Sequence, residues 1–435
     1  MKPNEGPLPV PVILPRPEHN VSRSRMDPDA VKVMYRLVRH GFKGYLVGGS
    51  VRDLLLSKTP KDFDVATDAR PGEIRKLFHN CRIIGRRFRI VHVYFRGSKI
   101  IEVSTFRKDP EEATEGEADG QESPKRGDNT FGLPHEDALR RDLTINGLFY
   151  DIRDFSVIDY VGGISDLRSG IIRAIGEPDA RFRDDPVRMI RAVRHAARTG
   201  FTIEPRTYQA ILRNAPSLTA CNVSRLQDEL QKDLAGGHVR PLFELHRATG
   251  LMGAYFPALQ AYFDSRSRPE ALFHPVWTWT ALARLDAKTD DPAWPPAYYL
   301  ASLVFPLIER ELMDRYPSLG EALREPTDVH RTLKELGVPF GIRRKDQERL
   351  GTLWFGFVRF WNFLQAGRIP ERFRKRPAYQ EALQFYLFHQ ILLGRSDEQI
   401  RLAVEGAWEQ GPRPPTRGRR QRRRRRKENR SQKTV

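Results

Sequence analysis

Cysteine is almost absent: Cys81 and Cys221 are the only two in 435 residues. Two thiols cannot build a disulfide framework or a cysteine metal cluster, so the chain reads as a protein of a reducing cytoplasm. None of the eleven histidines is followed by aspartate, which excludes a His-Asp phosphohydrolase module. No Gly-x-x-x-x-Gly-Lys-Ser/Thr run supplies a P-loop either. Long apolar runs are also missing. The most apolar stretch, Tyr298–Ile308, is too short to span a bilayer, and Pro9, Pro11 and Pro15 interrupt the only apolar stretch at the N-terminus. Neither a signal peptide nor a membrane partner is expected.

Acidic charge falls short of basic, with 55 Asp and Glu against 74 Lys and Arg and a formal net charge of +19. Residues 413–435 carry +11 of it, from twelve Lys or Arg against Glu428 alone. The remainder of the chain is basic as well, which points to a polyanionic partner such as nucleic acid. At 39% hydrophobic and 30% charged residues, the length allows two or three domains with a well-buried core.

What is present is organised around Tyr45-Leu46-Val47-Gly48-Gly49-Ser50-Val51-Arg52-Asp53, followed by Lys61-Asp62-Phe63-Asp64-Val65. The pattern predicts an apolar strand, a glycine turn, a short helix over 50–56 and a second strand bearing two carboxylates. Gly48 and Gly49 let the backbone turn sharply and approach a bound group closely. The helix that follows points its free N–H groups back at the turn, a seat for phosphate. Asp62 and Asp64, two apart on a strand, project from one face. Paired carboxylates call for a hard divalent cation, Mg²⁺ above all. A phosphate seat beside metal carboxylates means nucleotide chemistry.

The rest of the chain frames that site. Residues 1–29 are rich in proline and polar groups and read as an extended arm. A helix with Val31, Met34, Leu37 and Val38 on one face stops at Gly41, and Pro71–Asn80 reads as a second helix. Arg89–Phe95 and Lys99–Phe106 read as strands joined at Gly97-Ser98. Glu102 lies within the second of these, a costly place for a charge without a purpose. Residues 108–128 carry eight acids and three basic groups with almost no apolar side chains, which reads as a mobile acidic loop. Asp184-Asp185-Pro186 reads as a helix start, with an acidic N-cap and a first-turn proline. Behind it Arg188, Arg191 and Arg194 recur every third residue as a cationic stripe. From there to about residue 408 the pattern is helical. The pairs Trp277/Trp279 and Trp354/Trp361 read as core rather than base-stacking platforms.

Leu46–Asp53 with Lys61–Asp64 resembles the head of class II nucleotidyltransferases, the family of bacterial poly(A) polymerases and CCA-adding tRNA nucleotidyltransferases. Arg140-Arg141-Asp142-Leu143-Thr144-Ile145-Asn146 resembles its second motif, with Leu143 in an aromatic place. Asp184-Asp185-Pro186-Val187-Arg188 resembles its base-reading motif, with Asp184 in place of glutamate. Ser50 stands where a third glycine is expected. Ile83–Val93, the Leu14-Pro15-Arg16 and Lys32–Leu37 segments, and the arginine-rich C-terminus are similar to the poly(A) branch.

The resemblance implies an α+β architecture. A small mixed-sheet, polymerase beta-like palm head (30–171) would be followed by an all-helical neck (172–235) and body (236–410), then a disordered tail (411–435). It implies template-independent addition of AMP from ATP to RNA 3′ ends by two-metal nucleotidyl transfer, with CCA or A addition to tRNA as the alternative. Asp62 and Asp64 would hold Mg²⁺. Asp142 or Glu102 would be the third acid, with the family favouring Asp142. Gly48, Gly49, Arg52, Arg140, Arg141, Arg191 and Arg194 would contact nucleotide. Asp185 and Arg188 would read the base, and both match adenine and cytosine. RNA and ATP are the implied partners; proteins of RNA decay are not identified by any residue.

The tail generates a first prediction. Removing residues 413–435 weakens binding to all RNAs alike and flattens the dependence of affinity on salt, because fewer counterions are released. Turnover on a saturating primer survives. Lost turnover at saturating RNA in a folded protein would place the tail in the active site instead.

Overall fold

Twelve elements raise a mixed sheet with helices on it: β1 Val12–Leu14, α1 Pro28–Arg39, β2 Tyr45–Val47, α2 Gly49–Leu55, β3 Asp64–Thr67, α3 Pro71–Leu77, β4 Cys81–Ile84, β5 Ile90–Tyr94, β6 Ile100–Thr105, α4 Pro134–Leu139, β7 Leu148–Asp151 and β8 Val157–Asp159. The computed structural model describes residues 10–85, 89–108, 131–265, 271–286, 295–337, 342 and 344–409. The acidic segment 109–130, residues 86–88 and the arginine-rich segment 411–435 therefore lie outside the described residues. Strand order is β1-β8-β7-β2-β3-β6-β5-β4. Neighbours run antiparallel except β3 and β6, which are parallel.

Period-two alternation sorts the strands onto two faces. Leu46, Val65, Val91, Val103 and Leu148 pack with Val33, Met34 and Leu37 of α1 and Ile74 of α3. Tyr45, Val47, Ala66, Phe106 and Phe149 pack on the opposite side with Ala138 of α4. Helix α1 starts where Asp27 accepts from the backbone N–H groups of Asp29 and Ala30, with Pro28 at its first position. It stops at Gly41, whose φ is 84°.

The N-terminal arm differs from an extended tether. Its described part is stitched to the head: β1 pairs with β8, and Val21 is fully buried. His19 Nε2 lies 2.8 Å from the Phe155 carbonyl, and Asn20 donates to the Leu55 carbonyl at 3.0 Å. Proline excludes such a segment from a central strand but not from an edge, and β1 is an edge.

Helical elements follow: α5 Gly163–Ser169, β9 Ile171–Ile172, α6 Pro178–Asp184, α7 Val187–Thr199, β10 Thr202–Ile203, α8 Pro205–Asn214, α9 Val223–Ala235, α10 Val239–Ala248, α11 Leu251–Tyr255 and α12 Pro257–Asp264. Strands β9 and β10 form a small parallel pair. A helix does start directly behind Asp184-Asp185-Pro186, and only its expected acidic side-chain cap is corrected. Asp184 closes α6, Asp185 follows with φ −144° and ψ 91°, and Pro186 precedes α7 without a side-chain cap. Extended backbone before proline is the reason.

The chain divides into two compact units, Met1–Gln260 and Ala261–Val435. Residues 239–255 thus belong to the first unit, where Leu242, Phe243 and Leu251 are buried. The second unit is helical: α13 Pro275–Asp286, α14 Pro296–Arg315, α15 Leu319–Ala322, α16 Pro326–Gly337, α17 Arg344–Gln365, α18 Glu371–Arg374, α19 Pro377–Leu392 and α20 Asp397–Glu409. Its core is aromatic. Phe273 meets Trp277, Trp354 and His389 at ring-centroid separations of 4.9, 6.0 and 5.4 Å. Trp277 and Trp354 are buried, and Trp279 stacks on Phe263 at 4.5 Å. Among the described residues no helix is long and apolar enough to cross a membrane.

Close packing around the second motif gives a stability prediction. A Cβ on Gly163 would stand inside contact distance of the Thr144 carbonyl, which is backbone and cannot swing away. Gly163→Ala is expected to cost about 1–3 kcal/mol, read as a lower urea midpoint at unchanged slope.

Candidate active site

The glycine turn is where the site begins. Gly48 has φ 71° and ψ −131°, a conformation reserved for glycine, and a Cβ there would stand 3.0 Å from Arg141 Nη1. Its N–H donates to the Leu148 carbonyl at 3.1 Å, tying the turn to β7. Ser50, in the place of the expected third glycine, is buried, and its hydroxyl donates to the Val47 carbonyl at 2.9 Å. The serine closes the turn that it follows. A Cβ on Gly49 would meet Arg52 Nη2 at 3.4 Å.

Arg52 is placed away from any open surface. Only 2% exposed, it donates to Asp53 Oδ1 at 2.9 and 2.8 Å and to Asn146 Oδ1 at 2.6 Å. Asp53 Oδ2 accepts from Arg198 Nη2 of α7 at 2.9 Å. His195, also on α7, completes the group with ring nitrogens 3.3 Å from Arg52 Nη1 and 3.2 Å from Asn146 Nδ2. Desolvation, then the charges of Arg52, Arg194, Arg198 and Arg191, hold the His195 pKa well below its ordinary 6.5. The imidazole is neutral and acts as a polar strut between the turn and α7.

The carboxylates stand on the sheet face opposite α1. Asp64 opens β3; Asp62 lies two residues ahead of it, and Phe63 between them turns inward to the core. Parallel pairing sets Val65 beside Val103, so Asp64 lies beside Glu102 of β6. The Glu102 side chain is 51% exposed, with Oε1 3.3 Å from His92 Nε2. Its expected burial cost is therefore corrected: Ile101 and Val103 face the core and Glu102 faces out. Desolvation, then Glu102, raise the Asp64 pKa to about 6, with Arg141 opposing and Asp62 adding to the rise. Arg141 lies over the Phe149 ring at 5.3 Å on this same face. It donates to Asp137 Oδ2 at 3.0 Å, and Arg140 Nη1 lies 3.6 Å from Asp137 Oδ1.

Asp142 is placed elsewhere. Its carboxylate meets Arg188 Nε at 3.0 Å and Arg191 Nη1 at 2.7 Å. Arg191 also meets Glu229 at 3.3 Å, and Arg194 pairs with Glu229 Oε2 at 2.5 Å and with Asp233. Burial opposes ionisation of Glu229, yet Arg194 and Arg191 hold its pKa below the ordinary carboxylate range. Asp185 Oδ2 accepts from Arg225 Nη2 at 2.9 Å, while Asp185 Oδ1 is buried with no hydrogen-bond partner. The structure thus gathers Asp62, Asp64, Glu102 and Arg141 at one place and Asp142, Asp185, Arg188 and Arg191 at another. It turns Arg52 and Arg194 into ion-pair networks. Asp137, His195, Arg225, Glu229 and Asp233 were missed from sequence. The last three recur every fourth residue, a signal of one helix face.

Residues 44–173 match the family described as "Poly A polymerase head domain". Residues 200–263 match "Probable RNA and SrmB- binding site of polymerase A". Poly(A) polymerase I of Escherichia coli O6:H1 is 44% identical over 308 residues, 68% of this chain and 64% of that protein. The enzyme of the same name from Salmonella typhi is 48% identical over 258 residues, 58% of this chain and 54% of that one. The CCA-adding enzyme of Geobacillus stearothermophilus is 37% identical over 253 residues, 58% and 59%. The chain thus spans less than two thirds of the length of these relatives. The solved structure of a tRNA-processing enzyme complex matches with TM-score 0.57 at 22% identity, covering 88% of this chain and 93% of that one. A CCA-adding enzyme complexed with ATP matches with TM-score 0.55 at 20% identity, covering 89% and 85%. At that identity the likeness establishes the fold, a mixed-sheet head followed by helices.

Asp64 supplies a pH prediction. Its pKa is raised in the folded chain from 3.8 to about 6, so between those values the folded state holds more proton and loses stability as pH rises. Asp64→Asn removes the desolvated charge and, with it, the repulsion from Glu102. Without divalent cations at pH 7 it is expected to raise stability by about 1 kcal/mol, discounted for the open face of the carboxylate. Stabilisation by added divalent cation should weaken in the native chain as pH falls through about 6 and be absent in the variant. An unchanged melting temperature in Asp64→Asn at pH 7 would contradict this.

Proposed function

The chain belongs to the family that poly(A) polymerases share with CCA-adding enzymes, and from that premise we propose that it adds AMP from ATP to RNA 3′ ends without a template. The observation that carries the reading is the open sheet face where Asp62, Asp64 and Glu102 converge beside Arg141 and the glycine turn. Asp64 is desolvated and also crowded by Glu102 and Asp62, and the desolvation first and the crowding after it raise its pKa. A divalent cation relieves that crowding. Among the described residues no group of three or more His, Cys, Asp or Glu side chains is placed to hold a metal ion. An open pair of carboxylates suits a hard ion that keeps water and phosphate oxygens among its ligands, and Mg²⁺ is the finer assignment. When bound there, such an ion polarises the RNA 3′ hydroxyl and neutralises charge on the triphosphate.

The chain's own residues then orient the reactants. Asp62 and Asp64 hold the ion, and Glu102 serves as the third acid, since its strand neighbours Asp64 whereas Asp142 is committed to Arg188 and Arg191. Arg141, and Arg140 beside it, offer guanidinium groups to triphosphate oxygens. Gly48 lets the backbone approach the phosphates. Asp185 accepts from the exocyclic amine of the base and Arg188 donates to its ring nitrogen, which makes Asp142 the residue that aims Arg188. RNA is held by the basic helical body and tail. Identities of 41–48% to enzymes named poly(A) polymerase I, against 36–37% to those named CCA-adding enzyme, favour AMP over CCA addition. Transfer of nucleotides to tRNA ends is the second reading.

One assay separates them. With ATP on an unstructured RNA the protein is expected to build a long ladder of A, and with CTP addition should be poor. Addition that stops after one to three nucleotides, and only on tRNAs ending before C, CC or CCA, would give the tRNA reading. Asp62→Ala or Asp64→Ala should abolish addition at saturating Mg²⁺ with fold and RNA affinity retained. Near-normal activity in either variant would sink the assignment.

A further inference from the structure

Helix α9 presents Arg225, Glu229 and Asp233 at four-residue spacing, so the three share one face. That face meets the base-reading segment in order of opposite charge. Arg225 meets Asp185, Glu229 meets Arg191 and Arg194, and Asp233 meets Arg194. The two acids are 3% and 2% exposed and bind helix to helix. Arg225 differs, because its side chain is 51% exposed. An exposed ion pair adds little to stability. What it fixes is geometry.

Asp185 shows what is fixed. Its backbone is set by the last turn of α6, where its N–H donates to the Arg181 carbonyl at 3.2 Å. Arg181 Nη2 in turn donates to the Arg140 and Arg141 carbonyls at 2.7 and 3.1 Å, which locks α6 against the second motif. The terminal torsion of an aspartate is soft, so a fixed backbone alone does not aim its oxygens. Arg225 holds Oδ2, and Oδ1 is left buried with no partner. A buried acceptor without a donor is unfavourable unless a ligand supplies one.

We propose that Arg225 is a positioning residue for base selection: by holding Oδ2 of Asp185 it points Oδ1 at the exocyclic amine of the incoming nucleobase. This deepens the functional reading above and rests on Asp185 reading the base. It assigns Arg225 no contact with phosphate and no share in the transfer step.

The test compares ATP with purine riboside triphosphate, which lacks the 6-amino group and is otherwise the same ligand. Both are measured as equilibrium binding to the full chain without RNA, and as single-nucleotide addition to one unstructured primer. In the native chain ATP is preferred. Arg225→Ala is expected to shrink that preference about tenfold, the weight of one hydrogen bond to a charged group, with melting temperature unchanged. Arg225→Lys should restore part of it. Asp185→Ala should lose the preference outright, and adding Arg225→Ala to it should change nothing further. An unchanged ratio in Arg225→Ala, whether both ligands weaken equally or neither does, overturns the proposal. The binding ratio reads Arg225 even in a chain that adds no AMP, whereas absence of addition with the binding ratio intact would count against the polymerase reading alone.

Discussion

Four arginines on one helix, each matched to a carboxylate from another segment, are the constraint on which the first unit depends. Along α7, Arg188 and Arg191 meet Asp142, Arg191 and Arg194 meet Glu229, Arg194 meets Asp233, and Arg198 meets Asp53. Replacing such pairs by apolar groups often costs a protein nothing, but removing one partner strands a desolvated charge. Their consequence is therefore register more than stability. The helix can neither rotate nor slide without separating several pairs at once, and the segment just ahead of it, Asp185 and Pro186, is held with it.

That register joins two chemically different places. At one end Asp53 and Asn146 connect the helix to the glycine turn through Arg52 and the neutral His195. At the other, Asp142 and α9 pair with Asp185, Arg188, Arg191 and Arg194. The second motif serves both: Arg141 lies by the carboxylate face, and Asp142, the next residue, turns to α7. A nucleotide bridging the two places would have its phosphates and its base positioned by one connected set of ion pairs. On the carboxylate face desolvation and then the Glu102 charge push Asp64 up to about 6, the kind of perturbation that clusters at functional sites.

Local pattern determined much of this protein. The strand–glycine–helix–strand order, the outward pairing of Asp62 and Asp64, the strand pair around Gly97, the apolar stripe of α1 and the aromatic core of the second unit all follow from short-range periodicity and turn chemistry. Each involves residues within a few positions of one another, where sterics and alternation leave little choice. The family resemblance rested on such segments as well.

Tertiary structure decided what joins distant positions. Glu102 rather than Asp142 neighbours Asp64 because β3 and β6 pair in parallel with Val65 beside Val103, a register that no local pattern reveals. Arg52 and Arg194, read from sequence as nucleotide contacts, are held by Asp53 and Asp233, while Arg225 reaches Asp185 from forty residues away. The arm becomes an edge strand because β8 has a free side to pair with. A charged residue is the same letter whether it meets a ligand or a buried counter-charge. Only the chain's packing, which sets which carboxylate each guanidinium reaches, tells the two apart.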